Sequence, residues 1–90
     1  MASGKRVSVE QVKVLDIFIA EPRRWFDSTT VAKATIVPDS TVRHLLLTFF
    51  KLGLLERNDL YGGYRYRLSS TAKAQPYFAR IQDAAAVIQQ

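Results

Sequence analysis

The clearest alternation of apolar and polar positions lies between Pro38 and Gly53. At about 100° of rotation per residue, one side of a helix over this stretch would carry Val42, Leu45, Leu46, Phe49 and Leu52. The opposite side would carry Ser40, Arg43, His44, Leu47 and Lys51. Pro38 suits a helix start and Gly53 suits the position after a helix end. We therefore predict a helix over residues 38–52 with one face in a core and one face open to a partner.

The first helix is predicted from a start signal at Ser8, where Gln11 completes a capping-box pattern, and Pro22 should end it. One face, facing the core, carries Val12, Leu15 and Ile19. Three further apolar residues spread over other faces: Val14, Ile17 and Phe18. A helix that is apolar on more than one side needs a second packing partner, and another copy of the chain is the expected one.

A second helix is predicted over residues 28–34, with Asp27 as its N-cap. Trp25 and Phe26, just before it, should form a very short strand or a buried plug. Ile36 is expected to point inward with Val31 and Ala32. Because β-branched residues disfavour left-handed backbone geometry, we predict that the turn at residues 35–37 lacks a left-handed kink.

Two short strands are predicted after Gly53, over residues 54–58 and 64–68, around a loop with two glycines. In the second strand Tyr64, Tyr66 and Leu68 should cover the core, while Arg65 and Arg67 should face solvent or phosphate.

The last predicted helix either contains a kink at Pro76 or begins there. Its apolar stripe comprises Tyr77, Phe78, Ile81, Ala84, Ala85 and Ile88. This stripe is either packed back on its own domain or shared with a second subunit, and we favour sharing. The predicted dimer interface is Val14, Ile17, Phe18, Tyr77, Phe78, Ile81, Ala85 and Ile88.

Composition supports one small domain with a polyanionic partner. The 90 residues carry 13 basic and 8 acidic side chains, a net charge of +5. There is no cysteine, no apolar run long enough for a membrane span, and no signal-peptide pattern after the basic N-terminus. We find no motif for a catalytic, cofactor or metal site, so neither an enzyme nor a bound cofactor is predicted. Residues 1–7 should form a basic tail, residues 8–69 the domain, and residues 70–90 a dimerisation helix.

The order of elements resembles the winged helix-turn-helix superfamily, and most closely the N-terminal DNA-binding domain of IclR-type transcription regulators. The resemblance covers about residues 8–69 and is carried by Val14-Leu15-Asp16-Ile17-Phe18, Ser40-Thr41-Val42, Leu45-Leu46, Leu52-Gly53-Leu54-Leu55 and Tyr66-Arg67-Leu68. It implies an α+β, mainly helical fold, with a recognition helix in the major groove, a two-stranded wing on the flanking backbone and a dimer that reads two half-sites. By this pattern Ser40, Thr41, Arg43 and His44 would face DNA.

The remaining contacts are predicted from the residues themselves. Leu47 and Lys51 share the outer face of the recognition helix, and Leu47 would touch a thymine methyl, contact a partner protein or be an isolated surface leucine. Arg57, Tyr64, Arg65 and Arg67 are the predicted wing contacts to phosphate. Asp39, which carries a negative charge on this side, is assigned to helix capping, with acceptance of a cytosine amino proton as the alternative.

We therefore expect a small homodimeric transcriptional regulator that binds double-stranded DNA in the cytoplasm, or in a host cell if plasmid- or virus-encoded, and represses by occluding an operator. The alternatives are a winged helix that binds a partner protein through Leu47 and Phe50, and a DNA-binding protein of replication or partition. Three departures from the IclR-type pattern are visible: Ile36 where glycine is usual, Leu47 and Phe50 at positions often small or charged, and no ligand-sensing domain after the wing. No small-molecule effector is therefore predicted.

Overall fold

The computed structural model describes residues 7–59 and 62–88, with the side chain of Ile88 excepted. Residues 1–6 of the predicted basic tail and the predicted interface contact of the Ile88 side chain fall outside the described part. The elements are α1 (Val9–Ala20), α2 (Ser28–Thr35), α3 (Asp39–Lys51), β1 (Leu55–Asn58), β2 (Arg65–Leu68), a 3₁₀ turn (Ala72–Ala74) and α4 (Pro76–Ile88). The strands pair antiparallel. The predicted architecture, mainly helical with a two-stranded wing and a C-terminal helix, is confirmed.

The start of α1 is fixed by the predicted capping box. The amide of Gln11 donates to the hydroxyl of Ser8 at 3.2 Å, and the amide of Ser8 donates to the Gln11 side chain at 3.1 Å. Val14 and Phe18 are fully buried inside the chain, together with Leu15. The prediction that Val14 and Phe18 form a dimer interface is therefore wrong, because their side chains have no surface left for a second copy.

The turn between α2 and α3 contradicts the prediction made for Ile36. Its backbone is left-handed, with φ 57° and ψ 37°, and its side chain is 90% exposed. The amide of Ile36 makes the last helical bond, to the Ala32 carbonyl at 2.9 Å, and the left-handed backbone of Ile36 then ends α2. Val37 is buried instead of Ile36. The reversal of the chain between two closely packed helices therefore outweighs the local preference of a β-branched residue.

The apolar face of α3 supplies the centre of the core. Val42, Leu45, Leu46 and Phe49 are buried as predicted, but Leu52 is 38% exposed. Leu52 lies beyond the helix end, and Gly53 follows with φ 80°. The amide of Leu54 donates to the Phe49 carbonyl at 2.9 Å, and Leu54 fills the core position predicted for Leu52.

The wing, defined here as β1, β2 and the residues between them, presents two faces of different chemistry. Leu55 pairs with Leu68 and Arg57 with Tyr66, so these four residues share the face toward the core. The opposite face carries the pairs Glu56–Arg67 and Asn58–Arg65. Tyr64 lies before β2 and is exposed, contrary to its predicted place over the core.

Phe26 is buried and joins the wing through an isolated β-bridge to Tyr66, where a very short strand or a buried plug was predicted. Its amide and carbonyl both bond to Tyr66 at 2.8 Å, and its ring meets that of Phe18 edge to face at 5.1 Å. The wing is thereby attached directly to α1.

Pro76 is the first residue of α4, as one of the two predicted alternatives required. Phe78 and Ile81 are buried against the rest of the chain, and the Tyr77 hydroxyl donates to the Gln11 side chain at 3.3 Å. The assignment of the fully buried Ile81 to a dimer interface is therefore a second correction. Within the described residues, no helix is long and apolar enough to cross a membrane.

Candidate nucleic-acid interface

The outer face of α3 is a continuous exposed surface of mixed chemistry. Five predicted residues lie on it within an arc of about 100° around the helix axis, and all are exposed: Ser40, Arg43, His44, Leu47 and Lys51. Thr41 lies at the flank of this arc and is half-buried. Hydroxyl, guanidinium, imidazole, methyl and ammonium groups are therefore presented together, a set that can contact both phosphates and base edges.

One acidic side chain is part of this surface. Asp39, at the start of α3, forms an ion pair with Arg43 across one helical turn, with 2.9 Å between Oδ2 and Nη2. The N-cap position, Pro38, has no side-chain hydrogen bond. The Asp39 carboxylate is therefore engaged with a predicted base-reading residue, not with the first amides of the helix as expected.

A cleft of about 300 Å³ separates α3 from the wing. It is lined by Ser28, Arg43, Leu47, Arg57, Tyr64 and Tyr66. Two guanidinium groups flank it, and an aliphatic side chain and two phenol rings supply most of its apolar surface. The cleft brings together two of the predicted contacts of the recognition helix, Arg43 and Leu47, and two of the predicted wing contacts, Arg57 and Tyr64.

Arg57 connects the two sides of this cleft. Its guanidinium lies 4.4 Å from the centre of the Phe50 ring, on α3, and 4.1 Å from the centre of the Tyr64 ring, on the wing. A guanidinium at these distances is attracted to the electron-rich ring face. Phe50 is therefore covered by Arg57, which removes it from the exposed anchors expected of a protein-binding winged helix.

Arg67 does not line the cleft that holds Arg57 and Tyr64. It is on the face of the wing away from the core, where it donates to Glu56 at 2.8 Å and lies 4.4 Å from the centre of the Trp25 ring. The hydrogen bond from Arg67 lowers the pKa of Glu56 below its ordinary value. The charge of Arg67 is thus already paired within the chain, and its phosphate contact stays a prediction.

Arg65, on the same outer face, lies near the N-terminus of α2. A side-chain hydrogen bond from Thr30, and then the Thr30 amide at 2.8 Å, lower the pKa of Asp27, and the positive charge of Arg65 adds to this effect. Asp27 is thereby confirmed as the N-cap of α2, and Arg65 is exposed beside it.

Ser28 was not predicted to be a functional residue. As the first residue of α2, it brings the helix N-terminus to the edge of the cleft. The Asp27 carboxylate already accepts from the Thr30 amide at this terminus, so Ser28 is counted only as a residue that lines the cleft. The Asp-Ser-Thr-Thr sequence at residues 27–30 was interpreted only as a helix start.

Comparison with known families decides the identity of the domain. Residues 12–59, more than half of the chain, match the IclR helix-turn-helix domain. The chain belongs to this family. It is a helix-turn-helix DNA-binding transcriptional regulator, and the family is not enzymatic. A search of characterised proteins finds no significant sequence match.

Solved structures show the same fold. A possible transcriptional regulator from Methanosarcina mazei Go1 is 24% identical, with a TM-score of 0.67 over 92% of this chain and 73% of that one. MepR of Staphylococcus aureus, a transcription regulator of the multidrug efflux pump MepA, is 22% identical, with a TM-score of 0.64 over 93% and 66%. BpsR of Bordetella bronchiseptica, whose DNA binding is regulated by 6-hydroxynicotinic acid, is 19% identical, with a TM-score of 0.62 over 87% and 60%. The IclR-type chain thus spans less than two thirds of the last two proteins.

Proposed function

We propose that this IclR-type domain binds double-stranded DNA sequence-specifically as a homodimer and represses transcription in the cytoplasm by covering an operator. The single observation that carries the proposal is the exposed arc of α3 beside the cleft to the wing. The arc is wide enough to present base-reading and phosphate-binding groups together, and the major groove admits one α-helix.

In the proposed complex, Ser40, Thr41, Arg43 and His44 contact base edges near the start of α3, and Leu47 meets a thymine methyl. Lys51 contacts phosphate from the last turn of the helix. Arg57, Tyr64 and Arg65 contact the backbone from the wing. Support comes from the exposure of the α3 residues and from the cleft that joins Arg43 to Arg57 and Tyr64.

Binding to duplex DNA as a function of salt tests this proposal. A random-sequence duplex and a duplex enriched by the chain from a genomic pool should both bind less tightly as salt rises, and the enriched duplex should bind at least about 10³-fold more tightly. Arg43→Ala should weaken binding to the enriched duplex by about 5- to 150-fold, equivalent to about 1–3 kcal/mol.

Lys13→Ala is the charge-matched control, because Lys13 is an exposed residue of α1 outside the proposed surface. It removes the same unit of charge and should change affinity much less than Arg43→Ala. An equal loss in both variants would contradict the assignment of α3 as the reading helix. An absence of any enriched sequence would contradict sequence-specific binding.

The proposed homodimer uses the half-buried residues that remain on α1 and α4 after the core is filled: Ile17, Tyr77 and Ala85, together with Phe78 at their margin. Val87, 71% exposed, extends this surface along α4. A repressor that reads a two-fold symmetric operator needs such a pairing surface.

Sedimentation tests the dimer. Ala85→Asp should shift the wild-type dimer toward monomer, because it places a charge in the proposed interface. Ala34→Asp is the control, since it makes the same substitution on the exposed surface of α2. A wild-type chain that is monomeric at tens of micromolar would exclude the proposed dimer.

A further inference from the structure

We propose that Asp39 sets the DNA specificity of this chain, as a positioning residue that holds Arg43 and withdraws it from phosphate. The inference rests on the proposed function, because it requires the outer face of α3 to lie on DNA. It assigns a role to the one acidic side chain in the Asp39–Lys51 helix.

Arg43 and Asp39 form an ion pair on the surface of α3. Their side chains are 68% and 42% exposed, and their 2.9 Å contact lies along the same helix. The second oxygen of the carboxylate, Oδ1, is buried and has no hydrogen-bond partner in the described part of the chain. The carboxylate is thus enclosed on one side, and it presents Oδ2 to the guanidinium on the other.

DNA offers Arg43 two kinds of acceptor, charged phosphate oxygens and neutral base atoms. A phosphate carries a full negative charge, so it must compete with Asp39 for Arg43 and is also repelled by the carboxylate. Guanine O6 and N7 are neutral acceptors, and a guanidinium has five N–H donors. Arg43 can therefore donate to guanine while Asp39 still holds Nη2, whereas a phosphate contact is opposed.

The ion pair between Asp39 and Arg43 should also affect sequence-independent binding. Binding of random DNA depends on cations that replace the counterions of the phosphates. In the wild type, the Asp39 carboxylate already neutralises Arg43, so this arginine adds little to the binding of random DNA. Specificity is the ratio between affinities for the correct site and for random DNA. Asp39 would raise this ratio by weakening the binding of random DNA.

The test compares Asp39→Asn with Asp16→Asn, which removes the same charge from an exposed position on α1. For each variant, the dissociation constant is measured on random duplex and on the duplex enriched by the wild type, over a range of salt. Asp39→Asn should bind random DNA about three- to fivefold more tightly. Its plot of log affinity against log salt on random DNA should be steeper by about 0.9, the value of one additional phosphate contact.

The enriched duplex should gain less, so the specificity ratio of Asp39→Asn should fall while that of Asp16→Asn stays near the wild type. Asp39→Glu keeps the carboxylate one turn from Arg43 and should retain most of the ratio. Equal effects of both asparagine variants on both duplexes would overturn the inference. A loss of affinity for both duplexes, with a lower melting temperature in Asp39→Asn, would also overturn it and make Asp39 a stabilising residue only.

If the proposed function itself were wrong, the wild type would show no preference for the enriched duplex over random DNA. A preference in the wild type that Asp39→Asn leaves unchanged would remove only the inference about Asp39.

Discussion

The guanidinium of Arg57 covers the ring of Phe50 at 4.4 Å, and this contact joins the first strand of the wing to α3. Arg57 would therefore fix the angle between recognition helix and wing in addition to carrying charge. Arginine and lysine differ in this respect, because the planar guanidinium stacks on a ring more favourably than an ammonium group does.

Arg57→Lys separates these two roles. It keeps the positive charge, so the salt dependence of DNA binding should not change, but affinity for the enriched duplex should fall because the wing is less firmly held. A double-mutant cycle of Arg57→Ala and Phe50→Leu, followed by urea unfolding, should give a coupling energy of about 0.5–1 kcal/mol. A coupling energy near zero would contradict the structural role of the contact.

Replacement of Ile36 by glycine should stabilise the chain. Left-handed geometry costs a non-glycine residue about 1–2 kcal/mol, and Ile36 is so exposed that its loss removes little packing. Against this, glycine increases the entropy of the unfolded chain by about 0.4–1 kcal/mol. We expect a net gain of about 0.5–1 kcal/mol in the free energy of unfolding, measured by urea denaturation.

Ile36→Ala is the matched control for that prediction. It also removes the exposed aliphatic side chain but keeps a Cβ atom in the left-handed conformation, so it should gain less than glycine. If the alanine variant were as stable as the glycine variant, the backbone would not be the source of the strain.

The cap of α2 should make stability depend on acid pH. Asp27 has a folded-state pKa below its ordinary 3.8, so its ionised form stabilises the fold fully above that value. The contribution is lost as the pH falls through the lowered pKa. Asp27→Ala should cost about 1 kcal/mol at neutral pH, with a smaller difference from the wild type at about pH 2.5.

Asn retains the capping geometry without a titrating group. Asp27→Asn should therefore cost less than Asp27→Ala at neutral pH, and its stability should not show the Asp27 part of the acid dependence. Urea unfolding at both pH values measures this. An Asp27→Ala penalty that stayed constant over the range would contradict the assignment of the lowered pKa.

Arg67→Ala should separate stability from DNA binding. The variant removes both the partner of Glu56 and the guanidinium over Trp25, so the free energy of unfolding should fall, by about 1 kcal/mol after allowance for partial exposure. The salt dependence of DNA binding should remain that of the wild type. A slope lower by about 0.9 would show that Arg67 contacts a phosphate after all.

The sequence predicted best what depends on local periodicity. The two faces of α3, the cap at Asp27 and the capping box at Ser8 each involve residues within a few positions of one another, and they were confirmed except for Leu52, which lies outside the core. The order of the predicted elements carried the family resemblance. The outer-face residues of α3 could be selected because a single helix fixes which side chains share a face.

The errors arose where distant parts of the chain meet. Phe18 was predicted to contact a second subunit because the sequence does not show that Phe26, which is paired with Tyr66, would cover it. The pairing of Arg67 was missed because its neighbours Trp25 and Glu56 are 42 and 11 positions away in the sequence. Ile36 was predicted to point inward because only the local preference of a β-branched residue was considered. The burial of Val37 in its place depends on how α2 and α3 pack, which the local sequence does not show.

Only Leu52 and Gly53 lie between the end of α3 at Lys51 and the buried Leu54, so the connection from α3 to the wing is short. The distance between the base contact proposed for α3 and the backbone contact proposed for the wing would therefore be nearly constant. On DNA, two contacts at a fixed separation would make affinity depend on groove width, which varies with sequence. Base pairs that neither element touches would then influence affinity through the shape of the duplex.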